Sequence, residues 1–369
     1  MAQAKELYNF LLKKAEEKYA TTKKTLTKFE MNKLLPELKK EKPEFNYAHS
    51  QVLQNVSDRV YKAYANFFLR VKRKKNGEKI KAGYPRFKKF VRSLTYPQSG
   101  FKFLNERRIE LSKIGVLPIV LHRVPKGKIK TCAIKMNKAG EWFVIISCEQ
   151  EDITFQSNEK PAVGLDLGLM SYAVLSNGSR IENPCWLRKS QNKLRKAQRK
   201  LSRRKKGSRN RGKAKWNVAR IHERIANRRN DFLHKETVKL VNTYSVLALE
   251  DLKTNSMLKN HKLAGSIQDA SWSKFANILS YKASSAGCRA VFVNPKNTTK
   301  KCSNCGNLKE VTLAERIYNC PICKMSMDRD LNAAKNIITT AGLAGSHAFG
   351  ENVRLHENEA VLNELGTTY

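Results

Sequence analysis

Two CxxC pairs, Cys302/Cys305 and Cys320/Cys323, stand 14 residues apart near the end of the chain, and no other feature limits its fold more. Four thiolates on two tight knuckles suit one tetrahedral zinc with Zn–S near ~2.3 Å. Gly306 and Pro321 in "CSNCG" and "CPIC" support knuckle turns, and no histidine competes for a ligand place. A structural zinc site is expected, with a pair of redox motifs as the alternative. The other cysteines, Cys132, Cys148, Cys185 and Cys288, are scattered. That is intracellular usage rather than a disulfide framework, so a cytoplasmic protein is expected.

Three acidic residues frame this insert: Asp166 in "AVGLDLG", Glu250 in "VLALED" and Asp330 in "MDRDLNAAKNI". An acid among the apolar residues of a strand is costly unless it binds something. If the first two strands are neighbours in one sheet, Asp166 and Glu250 converge although 84 positions separate them. Asp330 would be brought in by a final helix packing on that sheet. Three carboxylates repel one another, and hard divalent cations with oxygen ligands relieve the repulsion. Magnesium or manganese is therefore expected, for phosphodiester chemistry of the two-metal kind. Asp251 and Asp328 are the alternative acids. Glu250 is preferred because it continues its apolar run, and Asp330 because of the helix that follows it.

Lys and Arg number 72 against 32 Asp and Glu, a net charge of +40. Such an excess attracts polyanions, and nucleic acid is the expected partner. No stretch approaches the ~18 apolar residues of a spanning helix, and the N-terminus lacks the apolar core of a secretory signal. From Arg188 to Lys235 there are 20 Lys or Arg and two acids, Glu223 and Asp231. An exposed helix face normally mixes signs, so phosphate contact is expected here, above all at Arg203, Arg204, Lys205 and Lys206.

The fold class expected is α/β multidomain. Residues 1–99 read as a helical lobe in which Val52, Val56, Val60, Tyr64 and Phe67 form one stripe. Pro36 and Pro43 are expected to break the preceding helices, and the basic stretch Arg70 to Lys75 to face solvent or phosphate. Residues 100–158 alternate with period two, as in a small antiparallel barrel or curled sheet. From 159 to 296 come three short strands, a basic helical stretch (188–243), a strand, a helix and a strand. "LSRRKKGSRNRGKAKW" is expected to loop out of the basic stretch. The zinc ribbon occupies 297–325, a closing helix 326–343, and a tail expected to be disordered 344–369. The order of strands and helices is that of a ribonuclease H-like domain.

Taken in order, "GLDLG", "LALEDL", "CSNCG…CPIC" and "DRDLNAAKNI" closely resemble TnpB, the RuvC-like nuclease encoded by insertion sequences and related to compact type V CRISPR effectors. "GYPRFKK", "YPQSGFKF", "LSKIG" and "LHRVPKGKIK" resemble the same family, which extends the likeness over roughly residues 7 to 343. The resemblance implies an RNA-guided DNA endonuclease, with a guide RNA from the transposon and double-stranded target DNA as partners. It implies Asp166, Glu250 and Asp330 as catalytic acids and the four cysteines as zinc ligands. It implies a recognition lobe in the helical region and a wedge-like barrel in the β-rich one. Family members usually begin with a strand and short helix upstream of the equivalent of "YNFLLKKAEEKY", and this sequence starts almost at that point. The expectation drawn from this is a truncated copy or a misplaced start, with activity in doubt. Two other functions stay open: a non-catalytic nucleic-acid-binding regulator, and a recombination accessory that cuts without a guide. A transposase is disfavoured, since no HUH pair is present.

Overall fold

The computed structural model describes residues 1–149, 160–312, 314–342 and 353–355 of the chain, the last three as backbone only. Two compact units divide it, Met1–Glu151 and Asp152–Tyr369.

The first unit begins with helices α1 (Ala2–Thr22), α2 (Lys28–Glu41) and α3 (Ser50–Lys75). Leu7, Leu11 and Leu12 of α1 pack with Met31, Leu35 and Leu38 of α2 and with Val56, Val60 and Tyr64 of α3. Phe67 is only half-buried and sets its ring edge-on to Tyr84 at 5.1 Å. Pro36 does not break a helix, because it lies inside α2. A reciprocal cap between Thr27 and Glu30 and three buried apolar side chains hold α2 together and outweigh the lost hydrogen bond. Pro43 instead opens a 3-10 turn, Pro43–Tyr47, where its fixed φ is favourable. Nor does Arg70 simply face solvent: its guanidinium donates to the Ala82 and Gly83 carbonyls at 2.6 and 3.2 Å.

Six strands follow: β1 (Ser93–Tyr96), β2 (Phe101–Asn105), β3 (Arg108–Leu111), β4 (Gly115–Pro118), β5 (Lys128–Met136) and β6 (Trp142–Glu149). The β-rich stretch thus begins at Ser93, before residue 100. Its strands form two antiparallel sheets, ordered β1-β5-β6 and β2-β3-β4. Tyr96, Ile109, Leu111, Cys132 and Ile134 fill the space they share.

The second unit is a mixed α/β layer structure. Strands β7 (Ala162–Leu167), β8 (Ser171–Leu175) and β9 (Arg180–Glu182) form an antiparallel meander. Helices α4 (Trp186–Ser202) and α5 (Arg209–Thr243) make a long hairpin leading to β10 (Val246–Glu250). Short helices α6 (Thr254–Met257) and α7 (Ala264–Ala270) precede α8 (Trp272–Ser285) and β11 (Arg289–Val293). The cysteine-bearing insert contributes β12 (Ile317–Asn319) and β13 (Ser326–Asp328), and α9 (Arg329–Thr340) follows. An edge strand, β14 (Val353–Leu355), completes a sheet ordered β14-β11-β10-β7-β8-β9. The tail expectation for 344–369 otherwise lies outside the described residues.

Side-chain alternation gives the sheet two faces. Val163, Leu165 and Leu167 of β7 and Leu247 and Leu249 of β10 pack against Leu233 and Leu240 of α5 and Phe275 and Leu279 of α8. Ala248, Val291 and Val293 turn the other way and meet Ile337 of α9. Gly164 and Asp166, one residue out of step with the first set, share that second face.

Candidate active site

Backbone pairing brings two of the three acids together. β7 and β10 run parallel with Leu165 opposite Leu249, so Asp166 and Glu250 emerge side by side at the same end of adjacent strands. Helix α9 reaches this face because Gly164 leaves room for it. A Cβ on Gly164 would lie 2.2 Å from the Ala334 carbonyl oxygen, inside any allowed contact. This close approach sets the first turn of α9, and with it Asp330, over the end of β7. Burial, together with the Glu250 and Asp330 carboxylates, pushes Asp166 up to about 8. Burial also raises Glu250, against a hydrogen bond from the Thr298 hydroxyl that favours its charged form. Asp251, the alternative to Glu250, is exposed.

Asp328 and Asp330 have different surroundings. One oxygen of Asp328 caps α9, accepting from the Asp330 and Leu331 amides at 3.0 Å each. The other pairs with Arg180 at 2.9 Å. The Asp330 carboxylate accepts from the Arg329 guanidinium at the edge of normal bonding distance, 3.2 and 3.3 Å. Arg329 is itself anchored to the insert through the Glu315 carbonyl at 2.9 Å.

The four cysteines converge. Their sulfurs all lie within 4.8 Å of one another, with Cys302–Cys323 at 3.7 Å and Cys305–Cys320 at 3.5 Å. A tetrahedral zinc with Zn–S of ~2.3 Å needs sulfurs about 3.8 Å apart, so the quartet could hold zinc. No other set of three or more such donors among the described residues is as close. The two knuckles are built alike. Cys302 N donates to the Asn307 carbonyl and Cys320 N to the Met325 carbonyl, each at 2.8 Å. The residue after each second cysteine is left-handed: Gly306 at φ 77° and Lys324 at φ 61°. In the second knuckle this turn position is carried by Lys324, not by Pro321.

Between the two centres run contacts that sequence reading missed. Thr298, Asn332 and Asn336 are buried polar residues that link the insert to α9 and Glu250. A signal existed for the asparagines: both fall on the inner stripe of "DLNAAKNI", where an apolar residue would be ordinary.

The basic stretch is a helical hairpin whose seam is Leu194, Ala197, Ile221 and Ile225. Its loop is shorter than expected, 203–208, since Gly212 lies within α5. Arg203, Arg204, Lys205 and Lys206 sit exposed at the tip. Other cations in the run are already engaged. Arg229 pairs with Asp269 at 2.9 Å with both side chains largely buried, and Arg211 donates to the Leu201 and Arg204 carbonyls.

Comparison with known proteins adds relatives. Residues 145–261 match a family described as "Probable transposase", and 272–337 match "Cas12f1-like, TNB domain". A "Putative RNA-guided DNA endonuclease" of Streptomyces pristinaespiralis is 37% identical over 309 residues, covering 82% of this chain and 73% of its own. The "Putative RNA-guided DNA endonuclease InsQ" of Escherichia coli K12 is 31% identical over 318 residues, covering 81% and 75%. In fold, the chain resembles the protein of a Cas12f1-sgRNA-target DNA complex, with a TM-score of 0.53 at 16% identity over 91% of this chain and 80% of that one.

Proposed function

The chain belongs to the TnpB family, and from that premise we propose that it is an RNA-guided DNA endonuclease of a transposable element. Its substrate would be double-stranded DNA selected by a transposon-derived guide RNA, in a prokaryotic cytoplasm and on nucleoid DNA. The observation that carries this reading is the meeting of Asp166 and Glu250 on adjacent parallel strands beneath the first turn of α9. We read the second unit as a ribonuclease H-like nuclease domain with an inserted zinc ribbon, and the first as recognition and wedge regions.

In this reading Asp166, Glu250 and Asp330 offer hard oxygen donors suited to Mg²⁺ or Mn²⁺. Two such cations, when bound, would supply an activated water and charge stabilisation at the departing 3′-oxygen. The residues themselves do the rest. Burial and two neighbouring carboxylates oppose the ionisation of Asp166, so arriving positive charge would favour loss of its proton. Thr298 steadies the Glu250 carboxylate. Asp328 holds the helix that presents Asp330. The exposed cations of the hairpin tip would grip phosphate without reading sequence.

Replacing Asp166 by Ala tests the reading. DNA cleavage should be lost while guide RNA and target binding persist, since base pairing and the basic surface supply the affinity. Ca²⁺ should support binding but little cutting, its looser coordination placing reacting oxygens poorly. Cleavage and binding measured on the same preparations decide it, and cutting by Asp166→Ala at the wild-type rate would show the site to be misassigned.

A further inference from the structure

We propose that Thr298 and Asn336 are positioning residues through which the thiolate centre sets the divalent-cation affinity of the carboxylate site. This rests on the reading of Asp166, Glu250 and Asp330 as cation ligands. It adds two residues and a coupling between the centres.

The connection is continuous. After β11 the chain passes Thr298 and reaches Cys302, and two asparagines one helical turn apart on α9 pin this short path. Asn336 donates its amide to the Thr298 carbonyl at 2.8 Å and to the Lys301 carbonyl at 2.6 Å. Asn332 donates to the Lys301 carbonyl at 2.8 Å and accepts from the Ser303 amide at 2.9 Å, next to the ligand Cys302. Both asparagines are almost fully buried, at 0% and 3% exposure. A side-chain amide is expensive to bury, and these two recover the cost by holding the loop carbonyls of Thr298 and Lys301. The first turn of the same helix carries Asp330, so fixing the loop against α9 also fixes the loop against that acid.

Thr298 closes the circuit. Its buried hydroxyl lies between the Glu250 Oε1 and the Pro295 carbonyl, which is 3.1 Å away. A hydroxyl carries one proton, so it can serve only one of these acceptors at a time. Bonded to Glu250, it restricts where that carboxylate can point. Groups of this kind, which orient a ligand without touching the cation, typically cost 10- to 100-fold in affinity when lost. Cys302 anchors the far end of the path, buried to 1% exposure among the other thiols. With the thiolates bound to zinc, the path from Cys302 to Thr298 is held at both ends. Without zinc it slackens, and Glu250 loses its guide. By linkage the dependence is reciprocal: zinc should raise Mn²⁺ affinity by the factor by which Mn²⁺ raises zinc affinity.

The test uses the full chain with Mn²⁺ as probe, followed by electron paramagnetic resonance, and takes the binding left in Asp166→Asn as background. Thr298→Val keeps the shape of the side chain and removes the hydroxyl; Thr298→Ser keeps the hydroxyl. Thr298→Val should weaken Mn²⁺ binding about 10-fold or more while retaining its zinc by elemental analysis, and Thr298→Ser should restore it. Zinc depletion should weaken Mn²⁺ binding of the wild type by a similar factor and have little effect in Thr298→Val, where the link is already cut. In cleavage, Thr298→Val should raise the Mn²⁺ concentration needed for half-maximal rate more than it lowers the saturated rate. Asn336→Leu should behave like Thr298→Val if it folds; the two Thr298 variants decide the matter if it does not. Wild-type Mn²⁺ affinity in zinc-loaded Thr298→Val, or an undiminished zinc effect in that variant, would overturn the proposal. If Asp166→Asn itself binds Mn²⁺ like the wild type, the carboxylate assignment fails instead.

Discussion

At the scale of single residues, Asp166 carries the clearest consequence. Its pKa rises from 3.8 to about 8 because burial and two nearby carboxylates oppose the charge. The folded state therefore holds the proton more tightly than the unfolded chain does. Stability from this group is fully present below the unfolded value and is lost as pH rises through about 8. In buffer free of Mg²⁺ and Mn²⁺, the wild type should lose stability between those limits relative to Asp166→Asn, by an amount on the order of a few kcal/mol. Added Mn²⁺ should narrow the gap, since a cation favours the ionised carboxylate. Melting temperatures against pH for the two proteins measure this, and parallel curves would contradict it. Lys324 offers a second case. It holds a left-handed φ of 61° at the position that Gly306 fills in the other knuckle. Lys324→Gly should leave zinc binding intact and stabilise the insert by about 0.5–1 kcal/mol, part of the left-handed strain being offset by a freer unfolded chain. Chemical denaturation of the zinc-loaded protein would register the change. Gly306 was readable as a turn from the sequence. Lys324 was not, because lysine has no preference for that conformation.

Among the elements, the contact of β7 with α9 has the least slack. Any side chain at Gly164 would meet the Ala334 backbone, which cannot rotate away as a side-chain tip would. Gly164→Ala should force α9 off the sheet, cost about 1–3 kcal/mol or more by overpacking, and abolish cleavage by displacing Asp330. Wild-type melting and cleavage in that variant would mean that the helix relaxes at no cost. The glycine stands in plain view in "AVGLDLG", but its partner, 170 positions later in the chain, cannot be read from that segment. Pro36 teaches the reverse lesson. Proline is a local signal against helix, yet Met31, Leu35 and Leu38 bury one face of α2 and a reciprocal cap holds its start. Packing energy summed over a helix exceeds the penalty of one residue.

At the scale of the whole molecule, a charge of +40 dominates any encounter with nucleic acid. Affinity should fall steeply with salt, about 10³-fold or more between ~50 and ~200 mM if several phosphates are contacted. The hairpin tip should be a large part of this. Arg203, Arg204, Lys205 and Lys206 are exposed and lie outside the apolar seam. Reversing all four to Glu should weaken binding across sequences and shallow the salt dependence, without lowering the melting temperature. Binding titrations at several salt concentrations measure both, and a slope unchanged by the reversal would place the phosphate contacts elsewhere. Arg211 and Arg229 are a different matter, since their removal should cost folding stability through lost bonds to carbonyls and to Asp269.

The sequence by itself determined the parts whose cause is local. Two knuckles of paired cysteines, apolar runs of alternating period ending in acids, a basic stretch of one sign and the order of strands and helices all follow from spacing along the chain. Only the tertiary structure decided which groups those parts would meet. It placed Glu250 beside Asp166 through a parallel register and gave Asp328 to the helix cap and Arg180. It brought Thr298 to Glu250, and tied Asn332 and Asn336 to the loop that leads into Cys302. It also separated the cations held by internal partners from those left at the hairpin tip. The physical reason is the range of the interaction. Periodicity and ligand spacing act over a few residues, whereas register, close helix–sheet approach and the pairing of buried polar groups join residues tens or more than a hundred positions apart.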